Sequence, residues 1–88
     1  MIERNLTVQF RNKNDTSILV VLEPWAEEFE VPPGSVLAIK ITHAREGMLD
    51  TEYSPQQITV WLWGGCRAGV FLDGKDQERH SLSIPAPG

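Results

Sequence analysis

The amino-acid sequence predicts an all-β domain, and three observations support this fold class. Apolar and polar residues alternate in several short segments, which is the period-2 pattern of strands with one buried face. Turn formers separate these segments, most clearly at Pro33-Gly34 and Asp73-Gly74. No segment has apolar residues at the 3.6-residue spacing of a helix. The spacing of strands and turns favours a compact antiparallel β-sandwich of about seven short strands, with a partly open β-barrel as the alternative.

Three strands are predicted in the first third of the chain. Residues 6–10 alternate as Leu-Thr-Val-Gln-Phe, and turn formers at 11–15 end this strand. Residues 18–22 are apolar throughout, so we expect a central strand covered on both faces. A short strand with an acidic outer face follows, because Phe29 and Val31 alternate with Glu28 and Glu30.

Four more strands are predicted beyond the Pro33-Gly34 turn, at 36–42, 58–63, 67–72 and around Leu82 and Ile84. The Asp73-Gly74 dipeptide suits a two-residue type I′ hairpin loop. Residues 43–57 are the least regular stretch, which makes them a candidate functional loop and leaves room for an edge strand at 51–53. One domain is expected over residues 1–84, followed by a frayed tail at 85–88.

The length and charge of the chain limit its number of domains and the classes of partner that it is expected to bind. The chain has 88 residues, enough for one domain and too few for two. Its net charge of −4 argues against nucleic acid and against an anionic membrane surface as partners. We expect no signal peptide and no membrane span, because the start is not basic and no apolar run is long enough. Together with a single cysteine, these features favour the cytoplasm.

Catalytic and metal chemistry have little support. His43, Cys66 and His80 are widely separated and do not match the ligand spacing of zinc or copper sites, so neither a metal nor a cofactor is expected. Cys66 follows Gly64-Gly65, where a turn could expose its sulfur, but a reactive thiolate also needs a neighbouring base. We therefore expect a protein that is not an enzyme.

Glutamate and tryptophan residues are the candidates for binding. Residues 23–30 hold four of the twelve acidic residues, which is typical of a solvated strand face and alternatively of a binding edge for a basic partner. Trp61 and Trp63 share the strand face opposite Ile58, Val60 and Leu62. We favour core or subunit interface for this pair over an exposed strip that stacks on sugars. The candidate contact residues are Glu23, Trp25, Glu27, Glu28, Trp61 and Trp63.

The segment from Glu23 to Gly34 resembles a stretch in short, uncharacterised bacterial all-β proteins. These proteins share the pattern E-P-W-x-E-E-aromatic-x-apolar-x-P-G after an apolar strand, and here it reads EPWAEEFEVPPG. The similarity covers about an eighth of the chain. It implies a bacterial source, and it implies no particular activity.

Three functional hypotheses follow. The favoured one is a non-catalytic interaction domain, whose Trp and Glu surface binds a protein partner or a second copy of the chain. The alternative is a small-ligand or carbohydrate-binding module that uses Trp25, Trp61 or Trp63. The third is a Cys66-dependent enzyme with a histidine as base.

Overall fold

A computed structural model describes residues 2–88 and confirms the β-sandwich: two four-stranded sheets face each other, and there is no closed barrel. The strands are β1 (Arg4–Arg11), β2 (Ile18–Glu23), β3 (Glu27–Val31), β4 (Val36–His43), β5 (Asp50–Ser54), β6 (Gln57–Trp61), β7 (Arg67–Leu72) and β8 (Lys75–Asp76). A 3₁₀ helix follows at His80–Ser83.

Sheet 1 has the strand order β1-β4-β7-β8, and sheet 2 has the order β3-β2-β6-β5. All pairs are antiparallel except β2–β6, which is parallel, with Val20 beside Ile58 and Leu22 beside Val60. This parallel pair departs from the antiparallel sandwich that the sequence predicts. It arises because the chain visits β3, β4 and β5 before returning to lay β6 next to β2.

A single core fills the space between the sheets. Alternate residues of both sheets point into it, as the period-2 pattern predicts. Its fully buried members include Val20 and Leu22 from β2, Leu37 and Ile39 from β4, and Val60 from β6. The expectation that β2 is covered on both faces is wrong. Only its inner residues are buried, while Leu19 and Val21 on the outer face are half-buried and face solvent.

Both predicted turns are present. Ser35 N donates to Pro32 O at 3.1 Å and Gly34 has φ of 83°, which is the geometry of a type II turn with Pro33 and Gly34 at its centre. Asp73 and Gly74 have φ of 49° and 84°, and the β7–β8 hairpin closes around them as expected for a type I′ loop. The irregular stretch 43–57 contains β5, an edge strand paired with β6.

The C-terminal segment differs from the prediction. Residues 82–84 do not form a strand, because the 3₁₀ helix buries Leu82 in the core and leaves Ile84 57% exposed. Residues 85–88 are not frayed throughout. Ala86 is buried, its N–H donates to Cys66 O at 2.8 Å, and its O accepts from Gly65 N at 2.8 Å. These backbone bonds hold the tail against the loop between β6 and β7.

Among residues 2–88, no helix has the length and apolar character needed to cross a bilayer.

Candidate functional site

The outer face of sheet 2 carries most of the carboxylates that the sequence analysis singled out. Pairing registers place the outward-pointing residues of four strands side by side. We call this surface the acidic face. Its carboxylates are Glu23, Glu28, Glu30, Asp50 and Glu52, and its other members are Leu19, Val21, Ser54, Gln57, Thr59 and Trp61.

The registers show how the acidic face is arranged. One row across the sheet runs Glu28, Val21, Thr59, Glu52, so carboxylates on the two edge strands flank a weakly polar centre. The two edge strands of the sheet, β3 and β5, are three strand spacings apart, or about 14 Å. The half-buried Val21 therefore lies between acidic margins rather than under a second layer of protein.

Trp61 is the aromatic residue of the acidic face. It lies at the end of β6 between Glu23 of β2 and Asp50 of β5, and its side chain is 40% exposed. Its indole Nε1 donates to Glu52 Oε1 at 2.9 Å. The bond fixes the ring and orients the Glu52 carboxylate, while part of the ring stays open to solvent.

The charges of the acidic face are not neutralised within residues 2–88. The ion pairs in this part of the chain are Arg4–Glu46 and Arg79–Glu27, and neither includes a carboxylate of the acidic face. No outward-pointing residue of sheet 2 is Lys, Arg or His. The face is therefore a source of negative potential with apolar side chains at its centre.

Glu27 and Trp25 lie elsewhere and bind the C-terminal segment. Glu27 points to the other side of β3, where its carboxylate pairs with Arg79 at 3.3 Å and accepts from Ser81 Oγ. The Arg79 guanidinium lies 4.7 Å from the centre of the Phe29 ring. Trp25 Nε1 donates to Ile84 O at 2.8 Å. These two candidate contact residues thus hold residues 79–84 against the sandwich.

Trp63 does not form an aromatic strip with Trp61. It lies beyond the end of β6, packs against the core, and donates from Nε1 to Arg45 O at 3.0 Å. The His43 ring packs edge-on against the Trp63 ring, and the two ring centres are 5.0 Å apart. The Trp63 ring also lies on the backbone of Gly47, where a Cβ would overlap with it. The expectation that both tryptophans share one strand face is wrong, because the chain leaves the strand after Trp61.

Cys66 is completely buried, and burial raises the pKa of its thiol, against smaller opposing effects of a Trp63 backbone hydrogen bond and the Arg45 charge. A neutral, inaccessible thiol is a poor nucleophile. Among residues 2–88, no three His, Cys, Asp or Glu side chains lie together as a metal site would require.

Sequence reasoning missed several residues of the acidic face. Asp50 and Glu52 lie in the stretch 43–57, which has no regular alternation, and Leu19 and Val21 belong to an apolar run that predicts a strand covered on both faces. The alternation of side chains along a strand is enough to place Glu28 and Glu30 on one face of β3, and Thr59 and Trp61 on one face of β6. Only the parallel pairing of β2 with β6 brings these two groups onto one surface.

No family model matches the chain, and neither a curated protein nor a solved structure shows significant similarity to it. The resemblance of residues 23–34 to short bacterial β proteins stays a prediction.

Proposed function

We propose that this protein is a non-catalytic interaction domain that binds a basic protein surface on its acidic face. The observation that carries the proposal is the concentration of five carboxylates, without a single base, on one side of a four-stranded sheet. A run of one sign on a single strand is common in solvated faces, but a protein surface generally intersperses both signs over an area as large as four strands. A face of one sign repels surfaces like itself and attracts those of opposite sign.

The centre of the acidic face supports protein recognition rather than simple solvation. Leu19 and Val21 expose apolar surface between the carboxylates, and Trp61 adds an aromatic ring. Interfaces commonly combine an apolar or aromatic centre with a polar rim. Lys and Arg side chains fit such a surface, because their aliphatic stems cover apolar atoms while their charges reach the carboxylates.

Binding is expected to be fast and sensitive to salt. Exposed ion pairs contribute only about 0.2–1 kcal/mol each, so affinity depends on several acting together. Their summed field raises the association rate, and salt screens it over a Debye length of about 8 Å at physiological ionic strength.

A deca-lysine peptide serves as the probe. We expect it to shift the amide resonances of Val21, Thr59 and Trp61 in ¹⁵N-correlation spectra at 20 mM NaCl. The double substitution Glu28→Lys/Glu52→Lys should weaken binding at least 10-fold. The control Glu3→Lys/Glu78→Lys changes the net charge equally at exposed residues outside the acidic face, and should bind within about 3-fold of the unsubstituted protein. Equal losses in both variants, or shifts confined to other surfaces, would overturn the proposal.

We also propose that the domain works in the cytoplasm. In support, Cys66, the sole cysteine of the chain, is a free thiol in the core, which a reducing compartment preserves.

A further inference from the structure

The outer face of sheet 1 has the opposite charge. Registers of β1, β4 and β7 place Arg11, Lys40 and Arg67 on this surface, and Asp76 of β8 is the one acidic residue among its outward strand positions within residues 2–88. We call this surface the basic face. Neither ion pair of the described chain uses any of these three cations. The sandwich thus has an acidic outer face and a basic one.

The basic face also has a shape that can receive a side chain. A shallow depression of about 600 Å³ lies beside Arg11 and Lys40, and its other lining residues include Ala38, Phe71 and the carboxylate residue Asp73. Lys40 Nζ lies 4.7 Å from the centre of the Phe71 ring. The depression therefore offers one aromatic ring and two cations beside one carboxylate, and its excess of positive charge complements the carboxylates of the acidic face.

We propose that the basic face of one copy of this chain is a partner of the acidic face of the next, so that copies associate head to tail. This inference rests on the proposed function, because it uses the same acidic face as a binding surface. Charge complementarity selects this arrangement. A two-fold dimer through the acidic face would bring five carboxylates against five. One through the basic face would bring three cations and the Asp76 carboxylate against the same set, which is a weaker attraction than three cations against five carboxylates.

An assembly built from head-to-tail contacts has one unoccupied face at each of its two ends. Assemblies of this kind grow into open chains unless the rotation between copies closes a ring. The size of the assembly should therefore increase with protein concentration and not stop at a dimer.

The contact is expected to be weak. Four strands of about five residues give a face of about 19 by 16 Å, on the order of 300 Å² in projection. Stable protein interfaces bury about 800 Å² on each partner. Self-association should thus appear at high protein concentration and low salt, and disappear when salt screens the charges.

Sedimentation velocity tests the arrangement between 20 µM and 1 mM protein. In 20 mM NaCl the weight-average sedimentation coefficient should rise with concentration, and in 500 mM NaCl it should stay at the monomer value. A strict monomer at 1 mM in 20 mM NaCl would overturn the inference. So would growth that stops at a dimer.

Paired variants identify the two faces. Glu28→Lys/Glu52→Lys disables the acidic face, and Arg11→Glu/Lys40→Glu disables the basic face, so each variant alone should be monomeric. Mixed in equal amounts, they should form a 1:1 dimer and nothing larger, because each supplies one intact face. Association of either variant alone at the unsubstituted level, or no dimer on mixing, would contradict head-to-tail binding.

Control variants carry the same changes of charge at exposed residues that are not outward strand positions of either face. Glu3→Lys/Glu78→Lys and Lys13→Glu/Lys75→Glu should associate as the unsubstituted protein does. Deca-lysine binding separates this inference from the proposed function. A monomer that still binds the peptide on its acidic face refutes head-to-tail association alone, and a monomer that does not bind it refutes both.

Discussion

Asn12 is the residue that best shows how single side chains stabilise this sandwich. It is 1% exposed and is the one buried polar residue among residues 2–88. Its Nδ2 donates to Thr16 O and Val31 O, both at 2.9 Å, and its Oδ1 accepts from Asn14 N at 2.9 Å. One amide therefore joins the β1–β2 loop to the end of β3 and leaves none of its own groups unsatisfied.

Replacing Asn12 with Ala should lower the free energy of unfolding by about 2–3 kcal/mol, because it leaves buried backbone groups without partners. Asn14→Ala is the matched control. Its side chain is exposed and only its backbone N–H joins the network, so its effect should stay within about 0.5 kcal/mol. Urea denaturation of the two variants gives the comparison, and equal effects would show that the Asn12 amide has no special role.

The buried Cys66 predicts how stability depends on pH. Burial raises its pKa in the folded protein above the value of 9.0 for a free thiol. The folded state therefore keeps its proton at a pH where the unfolded chain loses it. This contribution to stability is complete below about pH 9 and is lost as the pH rises further.

Cys66→Ala should accordingly remove part of the alkaline decline in stability, although its stability at neutral pH is lower because a small cavity forms. Denaturation midpoints from pH 7 to pH 10 measure the difference between the two proteins. In the same range, iodoacetamide should label the native thiol much more slowly than the thiol in urea. If the midpoints of the two proteins fall equally with rising pH, and iodoacetamide labels the native thiol rapidly, Cys66 is accessible to solvent.

At the scale of elements, the C-terminal segment closes one side of the sandwich. Gln77 N donates to Val70 O at 2.7 Å, the 3₁₀ helix inserts Leu82 into the core, and Ala86 pairs with the Cys66 loop. Side chains from β3 and the preceding turn hold the segment from the other sheet, through Glu27–Arg79 and Trp25–Ile84. The segment links the two sheets although it belongs to neither.

Two substitutions separate the 3₁₀ helix from the predicted strand. A strand would direct Leu82 and Ile84 to the same face, whereas here Leu82 is 7% exposed and Ile84 is 57% exposed. Leu82→Ala should therefore cost about 2–4 kcal/mol, and Ile84→Ala less than about 0.5 kcal/mol. Thermal or urea unfolding measures both. Similar losses in the two variants would restore the strand interpretation.

On the scale of the whole molecule, two sheets share one core and differ in the charge of their outer faces. The core lies between the sheets and takes its buried residues from both, so neither sheet can keep its inner face covered when the other unfolds. The outer faces are free of this constraint, because the strands within residues 2–88 form two sheets and no third one. Their composition reflects binding or solvation rather than folding.

This arrangement predicts a single cooperative unfolding transition. Trp25 and Trp63 pack against the core at different places, while the circular dichroism of the strands reports both sheets together. Urea transitions followed by tryptophan fluorescence and by far-UV circular dichroism should coincide within error. Two separated midpoints would mean that the sheets, or the C-terminal segment, unfold independently.

The fold class, six of the strands and both turns follow from the amino-acid sequence, because each depends on local chemistry. Alternation selects a strand with one buried face, and Pro33-Gly34 and Asp73-Gly74 supply the backbone angles that the turns need. Leu82 and Ile84 show the limit of that reasoning, since two apolar residues at strand spacing also fit a 3₁₀ turn that buries only one of them.

Which residues form the candidate site depends on the tertiary structure. Glu27 and Glu28 are neighbours in sequence, yet one binds the C-terminal segment and the other lies on the acidic face. Glu52 and Glu28 lie on the same face of sheet 2 because of the β2–β6 pairing, which joins segments more than thirty residues apart. Pairing between distant strands depends on how the whole chain packs. Local patterns predict the pairing of strands joined by a tight hairpin loop, but not which distant strands become neighbours, so they predict the elements and not the surface.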